Sequence, residues 1–392
     1  MNGIIAHKES GQTIIIVALV MVALVALLLV VVDGGYGYFT RRAAQNAADA
    51  GALAGANVLC NQSQYPGMNP NTVAINYAVA RNGAGSATSI VNDQTITVTA
   101  EIPYTTSFGT LFGFNHVPVK AVASAGCYAP CTSVNVLPVA WACSPPVIGE
   151  VTSDTCGIDF GNENSKYIIM DSSKIEDDFH CKAPINCGEG SPWEPICTTP
   201  PDPNAYLDCD LDNDGYEDIL GGGQRSWLDL NGGGGGAAEM KDWIANGYSG
   251  PINTHYWFGG QSGDIASVYM EINDTREGQD VILPMFNAFC FGLPDITPGC
   301  VWHDEDTIIL GGGSQLLYYH IFSFSVFHIT CVDPKQKPSD PCPMRQLAID
   351  RFGLNKNSLN SIEGYFIQKY DPSFHGACGE CEQGACTIHL SQ

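Results

Sequence analysis

The residues best suited to chemistry form one short run, Asp208-Cys209-Asp210-Leu211-Asp212-Asn213-Asp214-Gly215-Tyr216-Glu217-Asp218. With Asp210 as position 1, Asp210, Asp212, Asp214 and Asp218 fall at positions 1, 3, 5 and 9, Gly215 at 6 and the Tyr216 carbonyl at 7. A hard cation such as calcium takes about six to eight oxygens, and this spacing wraps a turn around one ion while glycine permits the sharp bend. Position 12 is Gly221, where an EF-hand carries a bidentate Glu, so the remaining oxygens would come from Asp208, Glu217, Asp229 or water. Such a shell predicts modest affinity, of order 10⁻⁴ to 10⁻³ M, and a structural role for calcium. An acidic surface turn without an ion is the alternative these residues leave open.

Other clusters carry less. The runs Gly221 to Gly223, Gly232 to Gly236 and Gly311 to Gly313 lack the following Lys-Ser or Lys-Thr of a phosphate loop, and their acidic surroundings repel phosphate. Cys378 and Cys381 have C-x-x-C spacing, yet no histidine follows as haem attachment requires and no βαβ pattern surrounds them, so both are expected in disulfides. The segment His303-Asp304-Glu305-Asp306 has metal-ligating residue types but reads more simply as an exposed acidic turn. There is no H-E-x-x-H and no G-x-S-x-G, and no Ser/His/Asp arrangement stands out, so the expectation is a protein that is not an enzyme.

These candidates hang on an unusual frame. Thr13 to Val32 is an uncharged aliphatic run. As a helix rising ~1.5 Å per residue it covers about 30 Å, the hydrocarbon thickness of a bilayer. A secretory h-region is shorter, and Asp33-Gly34-Gly35 follows where a cleavage site would be needed, so an uncleaved anchor is expected. Gly3 and Glu9 sit before the run at a spacing one residue too long for prepilin-type processing. Lys8 on one side and Arg41 and Arg42 on the other leave orientation undecided by the positive-inside rule. The sixteen cysteines, all beyond the run, decide it. Their even number and dispersal suit a disulfide framework in an oxidising compartment. The expected topology is a single-pass cell-membrane protein with a cytoplasmic N-terminus and the bulk of the chain extracytoplasmic. A formal net charge of −24 repels nucleic acid and anionic headgroups, so no nucleic-acid partner is expected.

The organisation expected is α+β: a short cytoplasmic segment (1–12), a transmembrane helix (13–32), an Ala-rich stalk helix (33–60) entered through a bend at Gly34-Gly35, a small α+β module (61–126), and a β-dominated, Cys/Gly-rich extracytoplasmic domain (127–392). Within the small module, Asn71 to Arg81 reads as a short helix. Ser89 to Ala100 reads as a hairpin around an Asn-Asp turn, and Ile102 to Ser107 and Val117 to Ser124 read as further strands. The larger domain shows strand-like runs at Lys166 to Met170, Val281 to Met285, Thr307 to Leu310, Leu316 to Val332 and Ser361 to Gln368. Its one clear helix, Ala237 to Asn246, ends at Gly247.

Gly11-Gln12, the apolar run, Asp33, and Arg42-Ala-Ala-Gln-Asn-Ala-Ala-Asp-Ala-Gly-Ala-Leu-Ala-Gly-Ala56 together resemble the N-terminal region of Tad pilus-assembly proteins of the TadE/TadG-like group. The resemblance covers about the first sixty residues, with TSFGTLFGFNHVPVKAVASA as a continuation of the same module. It implies an anchored structural or assembly component of a Tad/Flp-type pilus or related secretion apparatus. The implied partners are pilin-like and Tad platform membrane proteins, and a homo-oligomer is a further possibility. Ala43 to Ala56 is the expected packing surface for such a partner; a plain stalk lying on the chain's own domain is the alternative. Longer members carry a von Willebrand A module with Asp-x-Ser-x-Ser, but here Asp171-Ser-Ser173-Lys-Ile175 lacks the last serine. The alternative is an anchored adhesin or ligand-binding protein, in which Trp227, Tyr256 and Trp257 would be exposed for recognition; core packing is the other reading of each.

Overall fold

The architecture is given by a computed structural model. It describes residues 12–61, 64–106, 110, 113, 115–142, 158–172, 209–216, 218–221, 227–233, 236–260, 266–298, 300, 302–310, 317–334, 342–357, 359–378 and 384–391. Gly3, Glu9, Ser173, Asp208, Glu217, Gly311 to Gly313 and the cysteines Cys143, Cys156, Cys181, Cys187, Cys197 and Cys381 lie outside the described residues. The chain is α+β and divides into two compact units, one of residues 1–59, 68–126 and 390–392, the other of 60–67 and 127–389.

The first unit is built on α1 (Gln12–Cys60), a single helix of 49 residues. At Gly34-Gly35, where a bend is expected, the helix is unbroken. Two glycines cost roughly 2 kcal/mol relative to alanine, but breaking a helix between two long helical stretches would require a second costly nucleation. The side chains of Ile14 to Val32 are largely exposed, whereas the alanine-rich half is not: Ala44, Ala47, Ala48, Ala52 and Ala56 are fully buried. After α2 (Pro70–Asn76), capped by the Asn69 side chain, and one π turn (Tyr77–Arg81), the chain forms an antiparallel meander. Its strands are β1 (Ser86–Asn92), β2 (Thr95–Thr105) and β3 (His116–Tyr128), with β1 joined to β2 through Asp93 in a left-handed conformation. Register runs from Ser86 opposite Glu101 to Asn92 opposite Thr95, and from Thr95 opposite Gly126 to Thr105 opposite His116. Period-two alternation turns Ile96, Val98, Ala100, Ala121, Ala123 and Ala125 to the buried face.

The second unit contains β4 (Thr132–Ser133), β5 (Trp141–Ala142), β6 (Tyr167–Ser172), β7 (Ile219–Gly221), α3 (Ala237–Asn246), β8 (Ile252–Asn253), β9 (Tyr256–Gly259), α4 (Ala266–Thr275), β10 (Asp280–Phe291), β11 (Thr307–Ile309), β12 (Leu317–Asp333), α5 (Pro343–Phe352), β13 (Leu359–Ile367), β14 (Lys369–Tyr370), β15 (Phe374–His375) and β16 (Ala385–Ser391). Its centre is the long strand β12. One edge pairs antiparallel with β10, and the other is shared by β9 and, further along, β13. Antiparallel β6 and then parallel β7 extend the sheet beyond β13, while β11 adds to β9 and β5 to β10. Every residue of β10 between its two ends is buried, which is why it reads as an unbroken apolar run instead of an alternating one.

Helices α3 and α4 cover this sheet with Met240, Trp243, Ile244, Val268, Tyr269 and Ile272, which join Phe324, Phe327 and Phe366 in the main core. Strand β6 serves two cores. Tyr167 and Ile169 face the main one; Ile168 and Met170 face a smaller one with Leu211, Ile219 and the α5 residues Met344, Ala348 and Phe352. The sequence reading did not anticipate α4 or α5. Met344, Ala348 and Phe352 nevertheless recur at helical spacing between Pro343 at the start and a left-handed Gly353 at the end. Disulfides join Cys60 to Cys127, Cys131 to Cys378, Cys290 to Cys300 and Cys331 to Cys342; no described cysteine is free. Cys378 thus bonds a residue far away in sequence and not its C-x-x-C neighbour.

Candidate functional site

The acidic loop is pinned at three points before any ion is considered. Cys209 and Leu211 are buried in the smaller core, and Cys209 is disulfide-bonded. The Ile168 amide donates to the Asp218 carbonyl (2.8 Å), and Arg351 Nη1 of α5 donates to the Asp210 carbonyl (2.7 Å). Inside the loop the carboxylates accept backbone amides. Asp210 receives those of Asp214 and Gly215, Asp214 receives that of Tyr216, and Asp218 Oδ2 receives those of Leu211 (2.5 Å) and Asp212 (3.3 Å). Asn213 and Gly215 take positive φ values of 62° and 98°, which close the turn.

Of the five residues expected to hold calcium, the structure brings the carboxylates of Asp210, Asp212 and Asp218 within 4.8 Å of one another. Asp214 falls outside this trio, and Tyr216 is exposed. Asp218 is fully buried and its Oδ1 has no hydrogen-bond partner. Burial pushes its carboxyl up to about 8, the nearby Asp212 and Asp214 adding to the rise against two backbone hydrogen bonds. Asp212 is likewise raised, by burial and then by Asp214. An orphaned buried oxygen beside two further carboxylates suits a hard cation, which would neutralise them together.

A second polar cluster lies in the same unit and was not assembled by sequence reasoning. The segment expected to be an exposed acidic turn does expose Asp304 and Glu305, but Asp306 turns inward and is buried. Its Oδ2 accepts Trp257 Nε1 (2.9 Å) and the His303 amide (3.0 Å). Its Oδ1 lies 3.3 Å from Nε2 of buried His320, on β12. His320 Nδ1 sits 2.6 Å from Asn287 Oδ1. Burial lowers the His320 pKa, with Asp306 opposing and His255 and His303 reinforcing the fall. Residues from four separate segments meet here, so no local spacing could have announced the cluster.

The aromatic residues that the adhesin alternative would use for recognition are packed instead, the other reading of each. Trp227 and Trp257 are about 1% exposed. Trp227 packs edge-to-face on Tyr269 at 5.3 Å, and Trp257 holds Asp306. Tyr256 is partly buried against the main core. Core packing, favoured by the area each ring removes from water, has taken these side chains out of reach.

The expected packing surface on α1 also changes. The small-residue face of Ala43 to Ala56 is filled by the chain itself: a Cβ on Gly55 would meet Ile96 Cδ1 at 2.5 Å and Ala74 Cβ at 2.9 Å, and one on Gly51 the Ala74 carbonyl at 2.9 Å. What remains outward is a strip of Arg42, Asn46, Asp49 and Leu53 at helical spacing. A polar cleft of about 280 Å³ near Asn135, Trp243, Arg276 and Asp280 has its charges already engaged. Arg276 donates to the Ile244 and Ala245 carbonyls, while Asp280 contacts His328 and Lys369.

Residues 11–58 match the family described as "Putative Flp pilus-assembly TadE/G-like". The chain therefore carries a Tad-type N-terminal segment, which supports a pilus-associated protein in general terms. Neither the curated proteins nor the solved structures contain a match to this chain. The matched segment is α1 almost to its last turn, a helix long and apolar enough to cross a membrane with a mean hydropathy of 3.6 in its most apolar stretch.

Proposed function

We propose that this protein is a membrane-anchored structural or assembly component of a Tad/Flp-type pilus or related secretion apparatus, working by protein–protein packing and not by catalysis. The observation that carries the reading is the division of the Tad-like helix. Its first half is apolar and exposed, and its second half is locked into a folded module. An aliphatic surface of this kind is stable only in lipid or against other apolar helices. Exposed Tyr36, Tyr38 and Phe39, followed by Arg41 and Arg42, suit the headgroup level just beyond the hydrocarbon. The rest of the chain, disulfide-bonded and acidic, would lie outside the cytoplasm, with the N-terminus inside. Partners of the pilin-like or platform type would engage α1 along the apolar half and the Arg42, Asn46, Asp49 and Leu53 strip. Calcium at Asp210, Asp212 and Asp218 would brace the larger unit without regulating it.

Crosslinking in native membranes, purification through a C-terminal tag and mass spectrometry of the captured proteins tests this. Recovery of pilin or Tad platform proteins is expected, and their loss on Asn46→Arg and Leu53→Arg would map the strip. Recovery of only the chain itself or unrelated surface proteins would overturn the assembly reading. With Trp227 and Trp257 buried, nothing specific favours the adhesin alternative.

A further inference from the structure

We propose that His255, Asp306 and His320 form a site for one divalent transition-metal ion of the zinc class, separate from the acidic loop and independent of the assembly reading. The three residues each offer a ligand atom, and those atoms lie within 4.8 Å of one another. Two imidazole nitrogens and one carboxylate oxygen suit zinc and its neighbours, whereas calcium and magnesium take oxygen.

The hydrogen bonding gives the reason. Asp306 Oδ2 is occupied by two donors, the Trp257 indole and the His303 amide, which leaves Oδ1 as the free oxygen. His320 Nδ1 donates to Asn287 Oδ1, so its proton sits on that side of the ring and Nε2 presents a lone pair. Nε2 lies 3.3 Å from Asp306 Oδ1, both atoms are buried, and neither makes a hydrogen bond. Two electron-rich atoms held together out of water repel one another unless a cation lies between them. Tetrahedral zinc with bonds of ~2.0 Å separates its ligands by roughly 3.3 Å, the spacing seen here. An imidazole whose other nitrogen donates to a fixed carbonyl, and a carboxylate oriented by two donors, are the supports that metal ligands characteristically have.

The third ligand is held at some conformational cost. His255 has φ +66°, a left-handed conformation uncommon for a residue with a side chain. Its amide donates to the Ile321 carbonyl (2.8 Å) and its carbonyl accepts the Thr307 amide (3.0 Å), clamping the backbone between β12 and the start of β11. Its Nδ1 is buried without a hydrogen-bond partner. Three protein ligands leave the fourth position to water or another group, as in open zinc sites.

The test uses the full chain, disulfides formed, in detergent. After chelator treatment it is titrated with zinc, and with cobalt(II), whose visible absorption reports tetrahedral coordination. One equivalent of either metal is expected. His255→Asn, which tolerates the left-handed backbone, and Asp306→Asn, which keeps an acceptor for Trp257, should each weaken binding at least 100-fold while the metal-free thermal unfolding still shows a folded chain. Asn287→Ala should weaken it about 10- to 100-fold. Asp212→Asn in the acidic loop should leave it unchanged. Absence of stoichiometric binding, or binding that survives both His255→Asn and Asp306→Asn, would overturn the proposal.

Discussion

The acidic loop and the His255/Asp306/His320 cluster are both polar sites in the second unit, and they are built on opposite principles. The loop is local: its carboxylates lie within nine residues and take most of their hydrogen bonds from the loop's own amides. The cluster is assembled by the sheet from residues as much as 65 apart in sequence, and two of its three hydrogen bonds, Trp257 to Asp306 and His320 to Asn287, cross between segments. The loop is thus shaped by itself and tuned by burial of one member, Asp218, whereas the cluster exists only when β9, β12 and the 303–306 turn are all in place. Damage to a locally built site should stay local, and damage to the other should reach the core.

The sharpest way to break this contrast is Asp306→Ala. It strands the Trp257 indole N–H and the His303 amide in a buried setting, each costing about 1–3 kcal/mol. A loss of roughly 3 kcal/mol in denaturant unfolding is expected with chelator present. Asp214→Ala, an exposed loop carboxylate accepting one amide, should cost less than about 1 kcal/mol in the same measurement. Equal losses would erase the distinction.

A third carboxylate sharpens it. Glu363 is buried like Asp306, but both of its oxygens are used: they accept the Met344 and Arg345 amides at the N-terminus of α5 (3.2 and 2.6 Å). Burial nonetheless pushes it up to about 7, opposed by those amides. A carboxyl with a folded pKa above its unfolded value binds protons more readily when folded. Its contribution to stability is therefore complete below about pH 4.5 and lost as pH rises through about 7. The second unit should lose roughly 3 kcal/mol across that window from this group. Glu363→Gln should flatten that part of the stability–pH curve, measured by thermal unfolding at several pH values with chelator. An unchanged slope would remove Glu363 as its source.

How much was legible follows the same division between local and distant. The helical α1, the β1–β2 hairpin, the span of α3 and the course of β10 and β12 are all written in short-range periodicity, and the structure has them where the residues predict. In the acidic loop the spacing announces the approach of Asp210, Asp212 and Asp218 but not that Asp214 and Tyr216 stand apart from them. Trp227 and Trp257 could be exposed or packed as far as their glycine-rich neighbourhoods show, and only the sheet that covers them decides for packing. Asp306 was misread for the same reason: Asp304 and Glu305 do face solvent, and nothing in the tetrapeptide marks the one carboxylate that turns inward. The small-residue face of α1 was seen correctly as a close-packing surface, but composition cannot say whether the partner is another chain or, as Gly51 and Gly55 reveal, the same one. Helix α5 was within reach through Pro343, Gly353 and the Met344, Ala348, Phe352 spacing, though its low overall apolarity hid it.

The smallest expected effect concerns the loop's own ion. If calcium binds Asp210, Asp212 and Asp218 with a dissociation constant of order 1 mM, 10 mM calcium stabilises the folded state by RT ln 11, about 1.4 kcal/mol. Thermal unfolding should therefore rise with calcium in the native chain. Asp218→Asn retains an oxygen to accept the Leu211 amide but no longer presents a carboxylate at Oδ1. The variant should remain folded without calcium, because the substitution removes an acid group that burial already disfavours as an anion. It should also gain little when calcium is added. Zinc binding at the other cluster should be untouched in this variant, since the loop closes on its own amides. If calcium stabilises Asp218→Asn as much as the native chain, the loop is an acidic turn and not an ion site. If Asp218→Asn also abolishes zinc binding, the two sites are not independently built and the contrast between them fails.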